Sequence, residues 1–383
     1  VKFTVNRDVF NEAVSFAVKL LPQRTTLPLL SGVLLEAAGS SLVLSSFDYE
    51  VSARTEVSAS IDEAGRGLVS GRLLADIANR LPQAPVVVST HESRVQISCG
   101  SASFSLPSMP VEEYPTIPRV EDVTGVVPGD AFAEAVAQVS LAASRDDVTP
   151  VITGVQLEAS ENSLGLVATD RYRVGIREID WDGSVGGAGD GALTALVPAR
   201  TITEVGKTFA HAGTVAVGIV SREDREIISF TADKKTVTSL LIKGNFPPVR
   251  RLFPAQVDHY AVLNTAELIE ATTRVGLVLE REAALRYSFT EGAATLEAAG
   301  TEQAQASETV DAHLVGDDMV VSLKPQFLLD GLRAVHSEYV RLAFTKTDNP
   351  NKPGPVLITG QSSREGASSE SFRYLLQPNL LLR

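Results

Sequence analysis

The side chains able to hold a metal or relay a proton are few and scattered. His91, His211, His259, His313 and His336 show no paired spacing of the kind that places two ligands on one helix face, so no metal centre is expected. Asp146-Asp147 has no histidine or ligand set beside it and reads as a solvated turn. Gly206-Lys207-Thr208 has the tail of a phosphate-binding loop, but that motif needs a glycine five positions before its second glycine, where this chain has Thr201. Lys207 therefore belongs on a helix. Gly186-Gly187-Ala188-Gly189 lacks the strand and helix flanks that make a glycine loop a phosphate cradle, and reads as a hairpin loop. An enzyme would need titratable groups converging in one cleft, and none are indicated. Neither a catalytic step nor a cofactor is expected.

What recurs is a basic residue at the start of a helical segment: Arg72, Arg200 and Lys324. Such residues make sequence-independent contacts to phosphate. Lys19, Arg24, Arg80, Arg145, Lys207, Arg274 and Arg333 also fall on or near helical patterns. The whole chain carries 34 basic and 47 acidic side chains, a net charge of −13, which on average repels nucleic acid. A locally positive, helix-lined surface is compatible with that average.

The helices belong to a repeat. Gly32-Val33-Leu34-Leu35-Glu36-Ala37 returns as Gly154-Val155-Gln156-Leu157-Glu158-Ala159, 122 residues further on, and at the same offset Phe10 falls on Phe132 and Asp48 on Asp170. A fainter third copy starts at Leu268-Ile269-Glu270-Ala271, and Val321-Ser322-Leu323-Lys324 echoes Val69-Ser70-Gly71-Arg72 and Val197-Pro198-Ala199-Arg200. Each unit opens with an amphipathic helix, marked by Phe10, Ala13, Val14, Ala17 and Leu21, by Phe132, Ala135, Val136 and Val139, and by Leu268, Ala271 and Val275. A second helix is predicted over 72–81, 200–209 and 325–335. Alternating segments between them, such as Gly32 to Leu35, Arg94 to Ser98 and Thr236 to Ile242, predict antiparallel strands. The fold class is α+β with three similar domains, 1–120, 121–254 and 255–383, the first two closing on proline-rich stretches.

A length of 383 residues suits several domains, and 44% hydrophobic against 21% charged residues excludes a mostly disordered chain. No apolar run approaches the roughly 18 residues of a membrane helix. A soluble, cytoplasmic protein without membrane contact is expected, with the single Cys99 as a buried structural thiol.

Three segments carry a family resemblance over essentially the full chain: Arg24-Thr25-Thr26-Leu27-Pro28-Leu29-Leu30-Ser31-Gly32, Ala168-Thr169-Asp170-Arg171-Tyr172-Arg173-Val174, and Phe246-Pro247-Pro248-Val249-Arg250-Arg251-Leu252-Phe253-Pro254. Together they resemble the bacterial replicative sliding clamps, the beta subunits of DNA polymerase III. The resemblance implies a head-to-tail homodimeric ring with helices lining a channel for duplex DNA. Arg24, Arg72, Arg145, Arg200, Lys207 and Lys324 are then the DNA-facing candidates. It also implies a pocket for a short hydrophobic motif carried by the polymerase III alpha subunit, the clamp loader and repair proteins. The matching positions are Ile152, Thr169, Arg171, Tyr172, Arg173, Val174, Pro247, Arg251 and Leu252, with Lys324, Phe327 and Val356 and the tail residues Gln377, Pro378, Asn379 and Leu380. Family members commonly end in a Met-Pro-Met-Arg-Leu type sequence; here amides replace both residues flanking the proline. Phe104 and Leu106 against Leu277 and Val278 are the expected dimer contacts. A clamp-like peptide binder without DNA retention is the alternative.

Overall fold

A computed structural model of the chain describes residues 1–183, 193–299, 304–349 and 352–381. The loop containing Gly186-Gly187-Ala188-Gly189 lies outside the described residues.

The helix α1 (Arg7–Lys19) begins where the Asn6 side chain accepts from the Asp8 and Val9 N–H groups at 2.9 and 3.2 Å, satisfying donors that the first turn leaves open. Its apolar period turns Phe10, Ala13, Val14 and Ala17 into the core, while Leu21 lies beyond its end. α2 (Gly71–Ala78) follows, then α3 (Gly129–Ser140), which buries Phe132, Ala135, Val136 and Val139. α4 (Ala199–Thr208) carries Lys207. In α5 (Thr265–Val275), Asn264 caps the Glu267 N–H at 3.0 Å, and Leu268, Ala271 and Val275 face inward. α6 (Pro325–Ala334) starts on a proline, which suits a first helical position.

These starts correct one equivalence read from sequence. Ser70, Pro198 and Lys324 each occupy the position before their helix, so the counterpart of Arg72 and Arg200 is Gln326, not Lys324. Strand Lys235–Leu240 likewise stops short of Ile242, and α2 stops short of Leu81.

The chain forms two compact units. The first comprises Val1–Ala133, Ser160–Asn162 and Asp180–Leu241. Its 8-stranded antiparallel sheet runs through Gly125–Pro128, Thr214–Arg222, Arg225–Ala232, Lys235–Leu240, Val51–Ser58, Ser41–Phe47, Gly32–Ala38 and Gly65–Ser70. Two repeats therefore share one sheet, joined where Val51 stands opposite Ser239 and Thr55 opposite Lys235. A 5-stranded sheet ends at the edge strand Ala102–Pro107. The core collects Phe3, Phe10, Leu35, Leu44, Leu74 and Ile97. Cys99 is buried there, its thiol against the Pro82 and Ala84 carbonyls at 3.2 and 3.3 Å, as a structural thiol should be.

The second unit comprises Glu134–Ala159, Ser163–Ile179 and Ile242–Arg383. Here the joining strands are Arg173–Asp180 and Phe372–Leu376, with Arg173 opposite Leu376 and Arg177 opposite Phe372. The sheet continues through Val356–Gln361, Tyr339–Phe344 and Tyr260–Asn264 to the long strand Gln305–Val315. Beneath the join, Val167, Val174, Ile176, Val249, Leu357 and Leu375 form an apolar cluster.

The repeat is visible atom by atom. Ser31 Oγ donates to the Pro28 carbonyl and Thr153 Oγ1 to the Pro150 carbonyl, both at 2.6 Å, ahead of the matched strands. Asp48 Oδ1 accepts from the Glu50 and Val51 N–H groups at 2.9 and 2.7 Å, and Asp170 Oδ1 from those of Tyr172 and Arg173 at 3.0 and 3.1 Å. Each turn forces its second residue into left-handed backbone, Tyr49 at φ 73° and Arg171 at φ 80°. That conformation costs a residue with a Cβ about 1 kcal/mol or more.

α6 can lie close to the last strand because Gly331 faces the Tyr374 ring; a Cβ there would meet a ring carbon at 2.6 Å. We expect Gly331→Ala to destabilise the protein by roughly 1–3 kcal/mol through overpacking, read as a lower urea midpoint.

Candidate functional site

Within the second unit, the loop after α3, the Asp170 turn, the start of α6 and the tail after Leu376 surround a cavity of about 1140 Å³. Phe327 is its aromatic centre. Tyr172 stacks on that ring with centroids 5.9 Å apart, and the Arg173 guanidinium and Lys324 ammonium lie 4.5 and 5.0 Å from its centroid. Cations attracted by the ring's π-face are held in place by it.

Arg173 is tied further. Its Nε donates to Asp170 Oδ2 at 3.0 Å, and one terminal nitrogen donates to Asp330 Oδ2 at 2.5 Å and to the Tyr374 hydroxyl at 3.2 Å. Burial works against its charge, but Tyr374, Asp330 and Asp170 outweigh it and raise the guanidinium pKa above the ordinary arginine value. Burial also pushes the Tyr374 phenol above its usual range, and its hydroxyl donates to the Phe327 carbonyl at 2.7 Å. Lys324 is paired with Glu282. The tail is seated through its main chain: the Gln377 N–H donates to the Tyr172 carbonyl at 2.9 Å and the Asn379 N–H to the Ser322 carbonyl at 2.8 Å.

Of the residues expected at the pocket, Ile152, Arg171, Tyr172, Arg173, Lys324, Phe327, Gln377 and Asn379 line this cavity. The others do not. Thr169 is 2% exposed and shapes the turn by donating to the Arg173 carbonyl at 2.7 Å. Val174 and Val356 are buried, Val174 in the apolar cluster, since strand alternation turns it away from its cavity-lining neighbour Arg173. Pro247, Arg251 and Leu252 stand outside it, Leu252 with its side chain 52% exposed, while the neighbouring Val249 packs inward. Pro378 is buried, and Leu380 borders a second cavity of about 900 Å³. Asp330, Glu282 and Val148 were not foreseen. The Asp48–Asp170 match did mark the turn, but nothing in the sequence separates Asp330 from an ordinary helix-surface acid.

Arg24, Arg72, Arg145, Arg200 and Lys207 are all exposed, whereas Lys324 is half-buried in its pair and lines the cavity. Arg145 lines the cavity as well. Phe104 and Leu277 are exposed and Val278 is half-buried, but Leu106 is 2% exposed in the first unit's core, since it points inward from the edge strand.

Repeated helices on antiparallel sheets and a cavity with aromatic and ion-paired walls are the features that the second unit presents. Comparisons with known proteins identify the family. Models of the DNA polymerase III beta subunit match in succession: its N-terminal domain over residues 1–118, its central domain over 126–248 and its C-terminal domain over 250–363. The beta sliding clamp of Streptomyces coelicolor is 43% identical over 98% of both chains, and the beta sliding clamp homolog GriR of Streptomyces muensis 36% identical over 98% of both. A sliding clamp structure from Pseudomonas aeruginosa bound to griselimycin superposes with TM-score 0.88 at 24% identity, covering 99% of both chains. One from Bacillus subtilis gives 0.89 at 23% identity, covering 100% of this chain and 99% of that one. The chain belongs to the DNA polymerase III beta subunit family, the beta sliding clamps. It is a non-enzymatic processivity factor of DNA replication with the three-domain clamp fold.

Removing the Arg173 side chain leaves Asp170 and Asp330, 13% and 23% exposed, without their cation. Arg173→Ala should cost about 3 kcal/mol or more, and Arg173→Lys should recover only part, because one ammonium cannot reproduce the fork. Chemical denaturation of both variants checks this.

Proposed function

We propose that two copies close head to tail into a ring whose channel, lined by α1 to α6 of each copy, holds duplex DNA. The cavity at Phe327 then captures a short hydrophobic motif of the DNA polymerase III alpha subunit, the clamp loader and other replication and repair proteins. The observation that carries the docking half is the cavity itself, apolar at Phe327 and Tyr172 and edged by a few fixed polar groups, the composition that anchors a peptide. Family membership supports the DNA half. We place the domain limits at 1–120, 121–254 and 255–383, a three-part division that the order of the matched segments supports.

Exposed bases at equivalent points of α2 and α4 support phosphate contact by Arg72 and Arg200, with Arg24, Arg145 and Lys207. Lys324 is better assigned to the cavity. Ring closure between the edge strand Ala102–Pro107, with Phe104, and the surface at Leu277, whose side chain is 80% exposed, would cover open backbone groups and apolar area together. Topological linkage reconciles weak phosphate contacts with a net charge of −13: a ring stays on DNA without adhering to it. No helix among the described residues is long and apolar enough to cross a membrane, and membership of a bacterial replication-factor family supports a cytoplasmic location.

Loaded onto a nicked circular plasmid by a clamp loader and ATP, the protein should stay bound and leave after one double-strand cut. Equal retention on circle and line would mean adhesion instead. Light scattering at micromolar concentration should give the dimer mass. Arg72, Arg200 and Lys207 changed together to Ala should lower the salt slope of DNA binding by up to about 3, near 0.9 per lost phosphate contact, with the fold intact.

A further inference from the structure

Glu204 Oε2 is buried, yet among the described residues it accepts no hydrogen bond. A buried polar atom left so costs stability and calls for a reason other than folding. The Lys19 ammonium of α1 stands 3.2 Å from it, at ion-pair distance but outside hydrogen-bonding alignment. The other carboxylate oxygen lies 3.9 Å from the Lys207 ammonium, one turn further along α4. One carboxylate, its side chain 22% exposed, therefore stands between cations from two helices of the first unit.

The repeat shows what is particular to this acid. Asp76, Glu204 and Asp330 are each the sixth residue of their helix, α2, α4 and α6. In the second unit Asp330 is taken up by Arg173. The first unit has Val51 in the place of Arg173, so Glu204 meets no guanidinium from the strand and turns to the two lysines instead. Both lysines are open to solvent, at 44% and 63% exposure, and can leave the carboxylate for a phosphate. Any phosphate contact they make competes with the pair, whereas an unopposed ammonium contributes its full counterion release.

We propose that Glu204 tempers DNA contact: it holds Lys19 and Lys207 in a competing ion pair, so that their phosphate contacts break readily as the ring moves. This rests on the reading of α1 and α4 as channel-facing helices. Glu204 is a positioning residue, acting on DNA only through the two lysines.

Anisotropy of a short labelled duplex, titrated with the full-length protein between about 50 and 200 mM salt, tests it. Glu204→Gln should bind about threefold to tenfold more tightly at the low end, with a salt slope steeper by about 1 to 2, near 0.9 per released lysine. Adding Lys19→Ala and Lys207→Ala to Glu204→Gln should cancel the gain. Glu223→Gln makes the same change of charge on an exposed turn and should leave affinity and slope as in the native protein. Thermal melting reads the fold separately, and a purely structural role for Glu204 would lower the melting temperature without steepening the slope. Unchanged binding by Glu204→Gln, a gain that survives loss of both lysines, or an equal gain in Glu223→Gln overturns the proposal. If the Arg72, Arg200 and Lys207 triple variant also binds DNA as the native protein does, the channel reading falls with it; if that variant binds more weakly, the channel reading stands on its own.

Discussion

The guanidinium of Arg173 touches three segments far apart in sequence: the turn at Asp170, helix α6 through Asp330, and the last strand through the Tyr374 hydroxyl. Its own strand pairs with that last strand, Arg173 opposite Leu376. Main-chain pairing fixes how two strands lie side by side, and apolar packing seats the helix on them through Gly331 against the Tyr374 ring. The shared cation adds a directional constraint, because three partners satisfy it only when turn, strand and helix are all in place. Buried ion pairs of this kind contribute little net stability relative to apolar packing and punish removal of one member heavily. Their value here lies in geometry: Phe327, carried on the same helix, has its place in the cavity set by the same knot.

The first unit shows the same join without the knot. Val51 occupies the place of Arg173 one repeat earlier, with the Asp48 turn closed in the same way. One architecture thus produces a plain structural seam and a seam that holds a cavity, and the difference lies in a few side chains.

Most of the frame was legible in the sequence, because helix periodicity and the 122-residue offset both report burial, and burial is what a repeat preserves. Phe10, Phe132 and Leu268 face inward as their spacing requires. The site was legible in part. Of the residues expected there, Tyr172, Arg173 and Phe327 line the cavity, whereas Val174 and Val356 are buried. Alternation along a strand says that neighbours part, not which of them meets a cavity. Lys324 misled for a related reason. Matching basic residues by type set it beside Arg72, but helix starts are set by capping geometry, and Pro325 as the first residue of α6 moves the register by two. Val148 and Glu282 reach the cavity from irregular segments, whose path no periodicity encodes.

The tail holds its position through the backbone N–H groups of Gln377 and Asn379, the buried ring of Pro378 and the Gln377 side-chain amide, which donates to the Pro353 carbonyl at 3.1 Å, while Asn379 and Leu380 are exposed. Anchoring and display are thereby separated. Mutation at Asn379 or Leu380 can change the displayed surface without removing the main-chain bonds that seat the tail.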